Sequence, residues 1–517
     1  MKKFIITFLL ILFCSAILTF SLRGNVGNPT REQIGMSQWK DEGPFELSPE
    51  RGRFALIYSI VEDKSLFFDT PIARFATPDL GYKNGKYVSL FAPGVSILLI
   101  PGYIIGKYLG AAQVGVFAIV SLFAILNVLF IRSIAIKLGA NNIAATIASM
   151  IFLFATPAFP YAVTLYQHHI STFLILLCIF VLLKWKNLAA LSIVWFLIAA
   201  SVSIDYPNAI LMIPIAVFAS IRMFFVNKKD NFIKINFRLI GIVTFITIIF
   251  PLIFFLWFNN ASYGNPFQLS GTIKSIKGID EKGNPLSIEA LKKQQGPLFE
   301  EQDINRKKTA TGFFKSRNLI NGFYTHFVSP DRGIVFYTPV ILIGFIGMVI
   351  MYKKQKIMLV LIAIVFVNIL LYSMWGDPWG GWAFGSRYLI PSYAILSIFI
   401  AFMITNFRKK LIILMGFYIL LVYSISVNTL GAITSNKNPP KNEILALESI
   451  SHVQEKYTYE RNYDYLNSNR SKSFIFQTFV YKYLSAKSYY LIIVSVLVLT
   501  CGLLITYLHV KSKKENP

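Results

Sequence analysis

Cysteine is nearly absent from this chain, with three in 517 residues: Cys14, Cys178 and Cys501. Each lies inside an apolar run and none has metal-ligand spacing, which excludes a disulfide framework and a cysteine-based zinc site. Acid is scarce too: 25 Asp and Glu stand against 50 Lys and Arg, a net charge of +25. No glycine-rich phosphate loop is present, so nucleotide chemistry is not indicated. Neither an internal repeat nor the inverted pair of broken helices typical of many transporters can be found.

Apolar sequence is abundant, at 55% of all residues. Several runs reach the roughly 18–22 residues that cross a ~30 Å hydrocarbon core, so this is an integral membrane protein. Candidate runs lie near 4–21, 90–109, 111–134, 143–160, 170–183, 188–204, 208–225, 239–257, 336–352, 357–374, 389–406, 411–430 and 488–509. The basic excess would suggest nucleic acid in a soluble protein. Here it collects between spans, where Lys and Arg set orientation, and nucleic acid drops out as a partner. The first run has the basic start of a signal peptide but no small-residue cleavage site. It reads as an uncleaved span, and Phe13 before Cys14 weakens a lipoprotein reading.

Charge then tests the count. The turns Lys184-Trp185-Lys186, Lys228-Lys229, Lys353-Lys354-Gln355-Lys356, Arg408-Lys409-Lys410 and Lys511–Lys514 belong on the cytosolic side with Lys2-Lys3. Thirteen spans would place all five later turns outside; removing one early run places all of them inside. The run to remove is 90–109, which carries Pro93-Gly94 and Pro101-Gly102. It reads as re-entrant or juxtamembrane, beside a cavity. The expected fold class is an all-α polytopic protein of about twelve spans, with both ends cytosolic and outer loops 22–110, 258–335 and 431–487. Just two acids, Asp230 and Glu515, fall on the cytosolic side. The remaining carboxylates lie almost entirely in the outer loops, and the chemistry is expected there.

In the first outer loop, Phe54, Ile57, Tyr58 and Val61 fit one face of a short helix lying on the membrane, and Glu50 sits just before it. Asp69 and Asp79 follow. A carboxylate beside a partly apolar cavity can act as a general base; the plain alternative for each is a solvated loop acid. Trp375-Gly376-Asp377-Pro378-Trp379-Gly380-Gly381-Trp382, followed by Arg387 and Tyr388, ends a span. An interfacial aromatic belt would explain the tryptophans. It would not explain the paired glycines or the arginine, which suit a sugar face against Trp379 or Trp382 and a phosphate clamped by Arg387. Ser329-Pro330-Asp331-Arg332-Gly333 offers Arg332 as a second phosphate contact or an interfacial anchor. Tyr166-Gln167-His168-His169 offers a hydrogen-bonding histidine; adjacent histidines make a poor metal pair. Asp205 opens a span as a substrate contact or a helix cap. Arg53 and Lys86 are further candidate phosphate contacts.

The stretch Glu50-Arg51-Gly52-Arg53-Phe54-Ala55 resembles the first outer loop of the GT-C superfamily of membrane glycosyltransferases, in which an Asp precedes a short helix of the form D-E-x-R-Y-A. That superfamily includes protein mannosyltransferases, aminoarabinose transferases and oligosaccharyltransferases. Glu50 stands where the family has its catalytic Asp, and Arg51 replaces the second acid; Asp79 is the other candidate base. The Ser-x-x-Arg-Gly at 329–333 and the Trp–Gly–Gly…Arg–Tyr at 379–388 resemble motifs of bacterial members.

The resemblance implies a catalytic module over 1–260 containing the first outer loop 22–110. An outer loop at 261–335, helices at 336–430 with the outer loop 375–388, a cap at 431–487, and a last span with basic tail at 488–517 complete the division. It implies a bacterial plasma-membrane enzyme active on the outer face. A sugar would pass with inversion from a polyprenyl-phosphate donor to a glycan, lipid or protein acceptor. Membrane lipids are the remaining partners, and a divalent metal is the one conceivable cofactor. A lipid or polysaccharide transporter, or a non-catalytic membrane scaffold, are the competing readings.

Overall fold

A computed structural model describes residues 2–229, 232–237, 239–295, 309 and 312–514. Asp230 and Glu515 lie outside the described residues, as does all of 296–308. Among the described residues, seven helices are long and apolar enough to cross a membrane: Phe4–Ser21, Ala112–Lys137, Leu239–Tyr263, Lys356–Ser373, Arg387–Phe407, Leu411–Ile433 and Ala486–Lys514. Six shorter apolar helices accompany them. The chain is a polytopic helical membrane protein.

The elements follow the apolar runs and break where proline intervenes. Helix α1 is Lys2–Ser21; the first outer loop folds as α2 (Arg31–Gly35), α3 (Ser37–Glu42), α4 (Ser48–Val61), α5 (Thr70–Ala76) and the hairpin β1 (Leu80–Lys83) and β2 (Lys86–Ser89). Then come α6 (Gly94–Tyr108), α7 (Ala112–Lys137), α8 (Asn142–Phe154), α9 (Ala158–Ala162), α10 (His168–Lys184) and α11 (Leu188–Ile204). The run expected at 143–160 divides into α8 and α9 at Thr156-Pro157, because proline supplies no N–H and disfavours helix in the residue before it.

The run at 208–225 ends earlier than expected. It gives α12 (Asn208–Leu211) and α13 (Ile213–Ile221), and the chain then turns into an antiparallel pair, β3 (Phe224–Lys229) and β4 (Phe232–Phe237). A 3-10 stretch Leu239–Ile248 leads into α14 (Ile249–Tyr263). In the second outer loop β5 (Ser275–Ile276) adds to β1, giving the sheet order β2-β1-β5. These two small sheets lie in the connections between helices, and the apolar segments stay helical. Short strands in loops leave no periodic apolar signal long enough to read.

The remaining helices are α15 (Ile288–Gln295), α16 (Leu319–Phe327), α17 (Ile334–Tyr337), α18 (Leu342–Met351), α19 (Lys356–Ser373), α20 (Ile390–Phe407), α21 (Leu411–Ile433), α22 (Ile444–Ser451), α23 (Glu460–Asn467) and α24 (Ala486–Lys514).

Side-chain contacts gather the basic turns at one end of the bundle. Arg132 in α7 donates to Thr7 of α1 (2.9 Å) and to Asn142 and Thr146 of α8. Gln355, before α19, donates to the carbonyl of Leu138, and the N–H of Asn141 donates to Thr405 at the end of α20. His509 near the end of α24 meets the carbonyl of Arg408 (2.8 Å), and Arg222 donates to the carbonyls of Leu182 and Trp185. The opposite helix ends carry the structured loops.

Helix α6 packs against the first of those loops. It runs beside α4: Ser96 donates to the Arg53 carbonyl (3.0 Å), and Tyr103 and Lys107 both reach Glu62. Gly94 packs on Ser203 and Ile204 where α11 ends. At its other end Asn28 donates to the Lys107 carbonyl and accepts from Ala112, while Gly27 donates to Gly110. Residues 27 and 28 follow the end of α1, and Gly102 and Gly106 pack along the start of α7 at Gly115 and Ile119. Its 15 residues extend about 22 Å, short of a ~30 Å core. Helix α4 itself differs from the expected membrane-surface helix. Glu50 to Ser59 are all buried, so neighbours cover every face rather than one.

Tyr108, the last residue of α6, is 91% exposed, and Lys409 is exposed in the turn before α21. In oriented membranes an impermeant maleimide is expected to label Tyr108→Cys and Lys409→Cys from opposite sides. Labelling of both from one side would mean that α6 crosses.

Candidate active site

The site begins at the first turn of α4. Pro49 occupies the helix start, where its missing N–H costs nothing. That turn aims Glu50 inward, fully buried. Its carboxylate accepts from the backbone N–H of Leu165 (3.2 Å), before α10, and from that of Leu47 (3.3 Å). Burial pushes the Glu50 carboxyl up to about 7, against the opposing pull of the Arg23 charge.

One turn on, Arg53 donates to Gln167 (2.7 Å) and to the Pro49 carbonyl (3.0 Å). Gln167 donates in turn to Asp205 (3.1 Å), just past α11. Burial lowers the Arg53 guanidinium to about 10, although Asp205 pulls it the other way. Its plane lies against Phe91 (4.7 Å) and Tyr166 (5.8 Å).

Arg387 enters the same box from the opposite side, its guanidinium 4.8 Å from the Tyr166 ring centre and 5.5 Å from that of Tyr388. Nη2 donates to the Gly380 carbonyl (2.7 Å), while Nε and Nη1 are buried without a hydrogen bond. The paired glycines make this approach possible. Gly380 and Gly381 have φ of 73° and 60°, and a Cβ on Gly380 would stand 3.2 Å from Arg387 Nε. His168 stacks on Tyr166 (5.8 Å, 10°) and Tyr372 on Tyr388 (4.4 Å, 5°). Tyr166 Oη, His168 Nε2 and Arg53 Nε are also buried without a partner. Such groups cost about 1–3 kcal/mol each when nothing satisfies them, so their concentration here marks a place built for a polar ligand or water.

Other expected residues go elsewhere. Asp79 is half-buried and accepts from Ser48 (2.6 Å), at the mouth of the same helix turn. Asp69 caps α5 through Ile72 N (3.1 Å) and pairs with Arg31 (2.9 Å), a structural use away from the box. Lys86 is exposed on the hairpin over Phe67 (4.0 Å). His169 is held by Asn127 and by the Ala158 carbonyl (2.7 Å), which leaves its ring nitrogens occupied. Asp205 directs its side chain to Gln167 rather than capping the helix after it.

Arg332 departs most from expectation. Its guanidinium donates to the carbonyls of Trp379, Asp331, Gly381 and Asn438 at 2.7–3.1 Å, so it pins the tryptophan loop. Trp382 donates to Glu443 (2.8 Å) and has Arg461 and Lys437 against its face, and Trp379 contributes its carbonyl to Arg332. Among the described residues no three His, Cys, Asp or Glu gather in a way that would hold a metal.

Two residues beside Glu50 went unnoticed in the sequence. Arg23 is fully buried and pairs with Glu46 (2.7 Å) while donating to the Gly431 carbonyl and to Asn436, both 3.2 Å. Glu46 also accepts from Asn436 N (2.7 Å). Burial would raise the Glu46 carboxyl, but Arg23 and Lys472 hold it below its ordinary range. As the first charge after an apolar run, Arg23 looks like any interfacial anchor.

No protein-family model matches the chain, and no curated protein matches it. Among solved structures it is similar to ArnT from Cupriavidus metallidurans in the apo state, with 11% identity and a TM-score of 0.42 over 97% of this chain and 76% of that one. The same protein bound to undecaprenyl phosphate gives 12% and 0.43 over the same shares. A likeness at this level assigns neither fold nor chemistry.

Two outcomes follow from the charges. A carboxyl raised on folding adds stability below about 4.5 that is lost as pH rises through about 7. Glu50→Gln should therefore raise the thermal midpoint at pH 7, by the equivalent of ~3 kcal/mol, and bring no gain near pH 4. Arg23→Met should destabilise by about 3–5 kcal/mol, because it leaves Glu46 buried without its closest cation; unfolding of the purified variants measures both.

Proposed function

We propose that this chain is a membrane glycosyltransferase that takes its sugar from a polyprenyl-phosphate-linked donor at the end opposite the basic turns. The observation that carries this reading is Arg387, a buried guanidinium with two unused donors facing an aromatic box. Glu50 lies against the same wall, bonded to the residue before Tyr166. The motif resemblance at 50–55, 329–333 and 379–388 points the same way.

In this reading the donor phosphate sits against Arg387, and the Tyr166 hydroxyl, His168 and Arg53 bind its remaining oxygens or the sugar hydroxyls. Glu50 removes the proton from an acceptor hydroxyl, whose oxygen attacks the anomeric carbon as the bond to phosphate breaks. Negative charge developing on the leaving phosphate is stabilised by guanidinium donors already fixed in place. Attack opposite the leaving group inverts the anomeric centre. A carboxyl that titrates near 7 suits a base at neutral pH. Asp79, hydrogen-bonded to Ser48 at the mouth, is the second candidate base. We further read α6 as juxtamembrane, which leaves twelve spans, both ends cytosolic and the site on the outer face.

The test is release of lipid phosphate from a polyprenyl-phosphate sugar by purified protein. Wild type should turn over with a rate that falls as pH drops below about 7. Glu50→Gln should lose at least about 100-fold, as expected for loss of a general base, and Arg387→Lys should lose bidentate phosphate binding. Wild-type turnover in Glu50→Gln together with loss in Asp79→Asn would move the base to Asp79. Wild-type turnover in both variants would overturn this assignment of the base.

A further inference from the structure

A second polar site lies outside the box, on the far side of Glu46. A groove of about 310 Å³ is lined by Tyr465, Arg470, Lys472, Phe476, Gln477 and Tyr481, with Glu42 at its edge. That volume is at the lower end for small-ligand sites.

Lys472 forms its inner wall and is 8% exposed. An ammonium has three protons to place. Here its acceptors are the carbonyls of Glu42 and Gly43 at 3.3 and 3.4 Å, and Glu46 at 3.9 Å. These contacts are long for a charged donor, whose bonds to oxygen usually measure about 2.7–2.9 Å. A buried cation whose one anionic partner stands at 3.9 Å has room for a closer anionic oxygen. Arg470 borders the same groove, 4.8 Å from the Tyr465 ring centre, and makes no ion pair among the described residues. The lining thus offers two cations against the single acid Glu42, which is itself engaged by Gln38.

The surroundings indicate where the anion comes from. Directly after the groove, Phe479, Tyr481 and Tyr483 are 59%, 49% and 83% exposed, and the apolar span Ala486–Lys514 follows. Exposed aromatics just before a span lie at the headgroup level of a bilayer. Ser473 and Tyr489 both bond the Phe20 carbonyl near the end of α1, which places the groove at the rim of the bundle.

We propose that this groove binds the phosphate of an anionic phospholipid headgroup, with Lys472 and Arg470 as its two cationic contacts. Lipid phosphate supplies an anionic oxygen at closer range than Glu46, and the headgroup depth matches the aromatic belt. The site is separate from the Arg387 box and does not rest on the transferase reading.

The experiment is native mass spectrometry of the full chain released from nanodiscs of phosphatidylglycerol or of phosphatidylcholine. Wild type should retain phosphatidylglycerol at least about tenfold over phosphatidylcholine, and Arg470→Gln and Lys472→Met should each reduce that preference severalfold. Arg470 is exposed, so its variant tests the idea even if Lys472→Met fails to fold. Equal retention by wild type and Arg470→Gln would overturn the proposal. So would displacement of the retained lipid by soluble glycerol phosphate at the lipid's own concentration, since the bilayer would then contribute nothing.

Discussion

The buried ion pair between Arg23 and Glu46 is the contact on which the working end of this protein depends. A charge taken out of water is costly unless it is paired and its remaining bonds are filled. Arg23 is paired with Glu46, and its terminal nitrogens also reach a carbonyl at the end of α21 and the Asn436 side chain, which leaves only Nε without a partner. Those partners come from the first and third outer loops, so the condition forces the two loops together. Four residues on, Glu50 begins its helix in the position this clasp leaves for it. The Arg23 charge is also the largest influence opposing the effect of burial on Glu50. One pair therefore fixes both the place of a carboxylate and part of its acidity.

Among the other buried polar groups near that clasp, two sets stand apart. Arg332, His169, Asp69 and Arg51 have their hydrogen bonds taken up by protein and act as fasteners. Arg387, Tyr166, His168 and Arg53 keep buried atoms with no partner. Residues of like chemistry thus play opposite parts, and what distinguishes them is whether carbonyls have reached them. The tryptophan loop shows how the two sets cooperate. Arg332 fixes its carbonyls from below, the glycines allow a tight backbone, and Arg387 is delivered to the box with two donors unspent. Glu46 faces the lipid groove through Lys472 on its other side, so the clasp lies between two polar sites.

Much of this was legible in the chain, and for identifiable reasons. The apolar runs became helices because a bilayer demands internal hydrogen bonding over a fixed length. Basic turns gathered at one end because charge placement follows orientation. Pro93-Gly94 and Pro101-Gly102 marked α6 as unusual, and at 15 residues it is shorter than a span. Glu50, Arg53, His168, Asp205 and Arg387 stood out as polar residues beside spans, and they cluster. The strands went unread because a four-residue hairpin carries too little period. An arginine bound by carbonyls, as Arg332 is, looks in sequence like one waiting for phosphate.

The sequence by itself determined a membrane protein, its segments, its charge polarity and the residues able to do chemistry, since each follows from local composition and spacing. Tertiary structure alone decided which of those residues are free to do it. It brought Arg23 to a loop 408 positions away, filled the donors of Arg332 and left those of Arg387 open. Satisfaction of a buried polar group depends on what lies across from it, and that is a property of the packed chain rather than of any stretch of it.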